Sequence, residues 1–250
     1  MEKEASWMRQ EKDIQAILEK GAESFMFEIP NLEVAFEGGE QTLCCMDEGT
    51  PIGDMRSAGS GILTEGEQRT AFVKALKAAG VKEVTSHAGC GAAALYRKRH
   101  GLDEMSVDEV AMDQAKRMAA ELGVPYKGHI MDLQRPAEFH HARIVYVDAT
   151  GRFNPARLKE LPPGFVVSRR YMTPEQALEE VRIAMSIAFG DHGFGDKFFP
   201  REPLLIVPIA DATEPDFDMD VLLRELAQVS DQRVKIDGFR MPQHTLAQAA

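Results

Sequence analysis

Short strand-like segments alternate with amphipathic helical segments along most of this 250-residue chain. Continuous or alternating apolar runs predict strands at 32–36, 41–46, 81–86, 126–131, 143–148 and 204–209. Helical spacing, capping residues and closing glycines predict helices at 6–20, 64–79, from 91 onward, 106–123, 173–189 and 217–229. Strands that alternate with helices predict an α/β fold with a central, largely parallel sheet flanked by helices.

The domain organisation follows from what the sequence lacks. No internal repeat, linker-like stretch or low-complexity segment divides it, so we expect one domain over residues 1–250. Within that domain we expect an N-terminal helical arm at 1–25, a core that carries the site at 40–151, and a C-terminal extension at 152–250.

Charge and hydropathy limit the partners. Forty acidic residues stand against 29 basic ones, a formal net charge of -11. Such a surface repels phosphate groups, so neither nucleic acid nor an anionic membrane is an expected partner. No apolar run reaches the length of about 18 residues that a transmembrane helix needs, and the first ten residues are charged rather than signal-like. We therefore expect a soluble cytoplasmic protein.

Two short clusters, Cys45-Met46-Asp47 and His87-x-x-Cys90, stand at the ends of predicted strands. Together they contain the ligand set of a Cys₂His zinc site, which leaves a fourth tetrahedral position open for chemistry. The carboxyl ends of parallel strands share one edge of an α/β sheet, so we expect the clusters to meet there. Such sites also accept cobalt, iron or cadmium.

The alternation of side chains along a strand separates the adjacent cysteines. Cys45 and Asp47 point to one face, whereas Cys44 points to the other and is expected in the core. Cys90 precedes a predicted helix, whose N-terminal partial charge favours the thiolate. The alternative is that all three cysteines are small buried apolar residues.

Three roles are open for Asp47. Its carboxylate could accept a hydrogen bond from a metal-bound water and orient that water toward a substrate. It could instead occupy the fourth ligand position and close the site, or cap backbone amides near Gly49.

The order of these motifs resembles the β-type carbonic anhydrases. That family has Cys-x-Asp-x-Arg, matched by Cys45-Met46-Asp47 but with Gly49 in place of the arginine. Three further segments are similar to motifs of the family. Arg56-Ser57-Ala58-Gly59 is similar to Arg-Asn-Ala-Gly, and Ser86 to Ala92 is similar to Gly-His-x-x-Cys-Gly-Ala. Tyr146 to Gly151 is similar to Tyr-Asp-x-x-Thr-Gly. The resemblance covers about residues 40–151.

The resemblance implies a β-carbonic-anhydrase-like fold and a zinc ion held by Cys45, His87 and Cys90, with Asp47 as the acceptor that orients the metal-bound water. It implies a lyase that reversibly hydrates carbon dioxide to bicarbonate through zinc-bound hydroxide. It also implies a homodimer or larger homo-oligomer, in which the helix near Trp7 could pack on a neighbouring subunit; the alternative is that this helix packs on its own domain.

The glycine at position 49 leaves a gap in this pattern. In the family, the arginine of the first motif pairs with the aspartate and keeps it off the metal. Gly49 cannot do so, and our hypothesis is that Arg56 supplies the guanidinium as a catalytic residue. The alternative is a salt bridge of Arg56 with Asp54 or Glu48.

Two other functions stay open. One is hydrolysis of carbonyl sulfide or carbon disulfide on the same site. The other is a catalytically silent zinc-binding regulatory protein of a CO₂-related system, which the glycine at position 49 and the additional residues 152–250 favour. The pair His140-His141 is expected at the surface rather than in a second metal site.

Overall fold

The computed structural model describes residues 2–229 and 231–241, so the expected domain limits at residues 1 and 250 lie outside the described residues. The α-helices of these ranges are α1 (Glu2–Lys20), α2 (Ala22–Phe27), α3 (Gly66–Ala78), α4 (Gly91–Arg99), α5 (Val107–Leu122), α6 (Pro174–Ala188) and α7 (Met219–Leu226). The strands are β1 (Thr42–Cys45), β2 (Met55–Ser57), β3 (Glu83–His87), β4 (Tyr126–Ile130), β5 (Ile144–Asp148), β6 (Gly164–Val167), β7 (Leu204–Asp211), β8 (Val234–Ile236) and β9 (Phe239–Met241).

The strands form two sheets rather than one. Their orders are β2-β1-β3-β4 and β6-β5-β7-β8, with β9 also paired to β7. All of these pairings are parallel. The two sheets meet edge to edge. Val166 N of β6 donates to Met46 O and Ser168 N donates to Arg56 O, each with a donor–acceptor distance of 3.0 Å. The predicted α/β class with largely parallel strands is confirmed.

Capping residues set the helix limits where the sequence predicted them. Ser106 and Glu109 form a reciprocal capping box at the start of α5, and Gly123 closes that helix at a φ of 76°. Thr173 caps α6 by accepting from Gln176 N.

The strands of the second sheet separate two hydrophobic cores. Val145 and Val147 of β5 enter the core under α5 and α6, whereas Ile144 and Tyr146 enter the core that α1 covers. This alternation is the period of two that a strand imposes on its side chains. Both faces of β5 are therefore buried, which explains its continuous apolar sequence.

Two local expectations were wrong. Residues Leu32–Phe36 form a 3₁₀ helix rather than a strand. Val34 N donates to Asn31 O and Glu37 N donates to Val34 O, the three-residue spacing of a 3₁₀ helix, and Ala35 and Phe36 are both fully buried. The segment 47–61, which we expect to be a loop because it holds four glycines and a proline, contains β2, whose three residues are too few to produce a sequence pattern. Strands β6, β8 and β9 were also not predicted.

Across the two described ranges, every helix is too short or too polar to cross a bilayer.

Candidate metal centre

Neighbouring parallel strands bring the two sequence clusters together. Cys45 ends β1, His87 ends β3, and Cys90 is the N-cap residue of α4. Because β1 and β3 pair directly, in the register Leu43 to Val84, their carboxyl ends lie at one edge of the sheet. The structure therefore places the two clusters together at one sheet edge, as the sequence predicts.

The three ligand atoms are close enough to bind one ion. The ligand atoms of Cys45, His87 and Cys90 all lie within 4.8 Å of one another, and the two Sγ atoms are 4.0 Å apart. Two sulfurs bound to tetrahedral zinc at about 2.3 Å would be about 3.8 Å apart. All three residues are at least 95 % buried, because none exceeds 5 % exposure. The donor set and spacing fit a zinc ion.

The imidazole of His87 is oriented for a ligand at one nitrogen. Its Nδ1 lies 2.9 Å from Ala88 O, which fixes the proton on that nitrogen. Its Nε2 is buried and has no hydrogen-bond partner in the described part of the chain. A backbone carbonyl on one ring nitrogen and no hydrogen-bond partner on the other is the usual arrangement of a metal-binding histidine.

The pKa shifts reflect how tightly these groups are crowded. The hydrogen bond with Cys90, together with burial, raises the pKa of Cys45 well above its usual value. The same bond lowers the pKa of Cys90, assisted by backbone amides at the start of α4. Burial alone would lower the pKa of His87, but Cys45 and Asp47 raise it to about 9. A metal ion at the centre would replace the protons that Cys45 and His87 hold at these pKa values.

Cys44 lies outside this group, as the strand alternation predicted. It is fully buried, and burial raises the pKa of its thiol to about 12. A Cβ on Gly53 would lie 2.5 Å from Cys44 Sγ, so this sulfur packs closely against the backbone of the following loop. Cys44 is therefore a core residue.

A guanidinium holds the carboxylate of Asp47 beside the three ligands. Arg135 Nε lies 2.9 Å from Oδ1 and 3.1 Å from Oδ2, and Nη2 lies 3.1 Å from Oδ2. Gly49 N also donates to Oδ1 over 2.8 Å, and His87 Nε2 is 3.8 Å from Oδ2. Burial would raise the pKa of Asp47, but His87, His140 and Arg135 hold it well below its usual range.

Arg56 is near this carboxylate in sequence but does not bind it. Its guanidinium donates to the backbone oxygens of Gly53, Thr50 and Asp47 and to Asn154 Oδ1, at 2.9–3.4 Å. The hypothesis that Arg56 neutralises Asp47 was wrong, and so was its alternative, since neither Asp54 nor Glu48 forms a salt bridge with it among the described residues. Arg56 instead fixes the loop after β1.

Sequence reasoning missed Arg135. This residue follows β4 at the same sheet edge, and Gln134 N donates to Gly49 O over 2.7 Å, which joins the two loops. An arginine after the strand next to β3 was the available indication. Its pairing with Asp47 depends on how far the loop reaches, which no spacing rule gives.

The histidine pair at 140–141 lies against the site rather than at the surface. His140 is buried, with its Nδ1 3.0 Å from Glu48 Oε2 and 3.7 Å from Asp47 Oδ2, and His141 N donates to Glu48 Oε1 over 2.7 Å. Asp47, Glu48 and His140 could themselves hold a cation by proximity alone. Because Arg135 already binds both oxygens of Asp47, we interpret this group as an ion-pair network that supports the centre.

The balance of buried charges around the centre is compatible with one bound divalent cation. Asp47 and Glu48 as carboxylates balance Arg56 and Arg135, and all four side chains are at most 5 % exposed. The thiolates of a Cys₂His site would then be the only unbalanced charges of the centre, and a 2+ ion would neutralise them.

A cavity of about 410 Å³ lies beside the centre. The glycines that flank Cys90, Gly89 and Gly91, line it together with Arg135 and His140. The lining also includes apolar side chains, among them Val107, Phe139 and Ile187. The cavity approaches the centre through Arg135 and His140, because both of these lining residues lie beside Asp47.

Comparisons with protein-family models, with curated proteins and with solved structures found no match. The interpretation of the site therefore rests on the motifs and on the geometry of this chain.

Proposed function

We propose that this protein is a zinc-dependent enzyme that hydrates carbon dioxide to bicarbonate. The observation that carries the proposal is the pair Asp47–Arg135 beside the group Cys45, His87 and Cys90. The motif resemblance lacked one component, a guanidinium on the aspartate, and Arg135 provides it from another loop.

The ligands and their charge define what the centre can do. Cys45, His87 and Cys90 would hold zinc and leave one tetrahedral position free. Zinc bound there would lower the pKa of water and so provide a nucleophile near neutral pH.

Asp47 contributes orientation in this proposal. Its two oxygens offer about four lone pairs, and the N–H donors of Arg135 and Gly49 leave one of them, on Oδ2, for a further donor. A water molecule that donates to this carboxylate has its own lone pair directed away from Asp47, toward the substrate. Because Arg135 neutralises and anchors the carboxylate, Asp47 stays out of the ligand set.

The cavity supplies the substrate route. CO₂ is small and apolar, and the wall formed by Val107, Phe139 and Ile187 suits it. Carbonyl sulfide and carbon disulfide have the same linear shape as CO₂, so the experiment must distinguish these substrates from CO₂.

We also propose that the protein forms a homodimer or a larger homo-oligomer. Light scattering, which measures the molar mass in solution, tests this part of the proposal.

Stopped-flow hydration of CO₂ by zinc-loaded protein tests the proposal. Cys90→Ala should lose zinc and activity together, whereas the matched control Cys44→Ala should keep both. Zinc bound at one per chain without CO₂ hydration at any pH would contradict the enzyme and favour a regulatory zinc protein. Release of sulfide from carbonyl sulfide without CO₂ hydration would favour the hydrolase instead.

A further inference from the structure

The turn after β2 contacts one of the ligand sulfurs. Gly59 N donates to Cys45 Sγ over 3.2 Å. The φ of Gly59 is 56°, in the left-handed region that glycine adopts without strain, and a Cβ there would lie 2.4 Å from Ile62 Cγ2. An N–H donor on a thiolate ligand adjusts its charge and its orientation. The placement of this turn therefore affects the metal centre directly.

A glutamate from α6 holds the same turn. Glu180 Oε1 accepts from Ser57 Oγ, and Oε2 accepts from Ala58 N over 3.0 Å. The residue is 3 % exposed, and the polar groups that face it are Ser57, Ala58 and Gln176. No described residue forms a salt bridge with it, in contrast to Asp47 and its guanidinium.

A contribution to folding stability does not explain why position 180 carries a carboxylate. A buried carboxylate with only neutral partners costs folding free energy, and an apolar residue would pack on the same helix face at lower cost. A buried titratable group that breaks this rule is a candidate for a functional role. The function available to Glu180 is to fix the two residues that precede Gly59.

We propose that Glu180 is a positioning residue of the metal centre, whose carboxylate fixes the Ser57–Ala58 backbone so that Gly59 N–H stays on Cys45 Sγ. The inference rests on the proposed function, because it assigns Glu180 to the metal that Cys45, His87 and Cys90 would hold. Burial raises the pKa of Glu180 to about 7, so its ionised form, the stronger acceptor, dominates only above neutral pH.

Zinc affinity at two pH values tests this role. Zn²⁺ is partitioned between the protein and a chromophoric chelator, for wild type, Glu180→Gln and the control Glu179→Gln, at about pH 8 and about pH 6. Glu179 is the exposed neighbour of Glu180 on α6. At the higher pH we expect Glu180→Gln to bind zinc about 10- to 100-fold more weakly, with Glu179→Gln unchanged.

The pH dependence separates positioning from packing. At the lower pH Glu180 is protonated in wild type, so the affinity ratio of wild type to Glu180→Gln should approach one. Protonation of the ligands affects both proteins alike and cancels in that ratio. The thiolate-to-metal absorption band of Co²⁺-loaded protein should differ between the two proteins at the higher pH only.

Ser57→Ala provides a second variant that changes no buried charge, and it should weaken zinc binding in the same direction by a smaller factor. Unchanged affinity in Glu180→Gln at the higher pH, or an equal loss at both pH values, would overturn the role of Glu180 alone. Wild-type protein that binds no zinc would contradict the proposed centre itself, and the role of Glu180 with it.

Discussion

Arg135 occupies the space that a side chain at position 49 would need. A Cβ on Gly49 would lie 2.5 Å from Arg135 Cγ and 3.1 Å from Asp47 Oδ1. The absence of a side chain at position 49 is therefore what allows Arg135 to reach Asp47. The guanidinium enters from the loop after β4, and the loop after β1 makes room for it.

Gly49→Ala should lower both stability and activity. The added methyl group has to displace the base of the Arg135 side chain, and overpacking of this kind costs about 1–3 kcal/mol. Displacement of Arg135 weakens its bonds to Asp47, so the CO₂ hydration rate should fall while zinc stays bound. Urea unfolding and stopped-flow kinetics measure the two effects. Full activity in this variant would show that the contact does not matter.

Arg135→Ala should reduce CO₂ hydration about 10- to 100-fold at unchanged zinc stoichiometry, because the carboxylate of Asp47 loses its only guanidinium partner among the described residues. Adding Gly49→Arg to this variant should recover part of the rate, since the new arginine fills the space that Arg135 leaves. Gly49→Arg alone should be less active than the double variant. An additive loss in the double variant would argue against compensation.

Arg56→Ala should destabilise the fold without removing the partner of Asp47. The carbonyls of Gly53 and Thr50 lose their buried donor, and each such loss costs about 1–3 kcal/mol. Chemical unfolding should show this loss. The folded, zinc-loaded variant should hydrate CO₂ at a rate closer to wild type than Arg135→Ala does, and the reverse order would restore Arg56 as the catalytic residue.

Glu180→Gln should be more stable than wild type, increasingly so as the pH rises. The folded pKa of Glu180 is about 7 against an ordinary value of 4.5, so the folded state binds this proton more tightly than the unfolded chain does. The contribution of Glu180 to the free energy of unfolding is therefore fully present below about pH 4.5 and is lost as the pH rises to about 7. The advantage of glutamine should grow across that window to about 3 kcal/mol and then level off.

Unfolding free energies of wild type and Glu180→Gln, measured side by side across this pH range, check the expectation. Asp148, whose pKa burial raises to about 6, titrates in both proteins and cancels in the difference. A difference that does not change with pH would mean that Glu180 does not titrate in this window.

The fold class and the meeting of Cys45, His87 and Cys90 were predictable because they depend on local patterns. Buried strands, helix caps and helix-ending glycines can each be recognised from residues that are close together in the sequence. Ser106 with Glu109, and Gly123 at the end of the same helix, are examples. The position of Cys45 on the shared face followed from strand alternation, and Cys44 faces the core as that alternation requires.

The partner of Asp47 was not predictable in the same way. Arg135 reaches it across 88 positions of sequence, through a space that exists because Gly49 has no side chain. Likewise, the strand Met55–Ser57 is defined by its neighbour β1 rather than by its own three residues, and the hold of Glu180 on Ser57 joins segments 123 positions apart. Contacts of this kind depend on tertiary structure.

X-ray absorption at the zinc edge of the purified protein tests the metal centre most directly. One zinc per chain should be coordinated by two sulfurs at about 2.3 Å, one imidazole nitrogen at about 2.0 Å and one further light atom. The Cys44→Ala control should give the same spectrum. A zinc environment of oxygen and nitrogen alone, or protein that folds fully and binds no metal, would contradict the assignment of Cys45, His87 and Cys90.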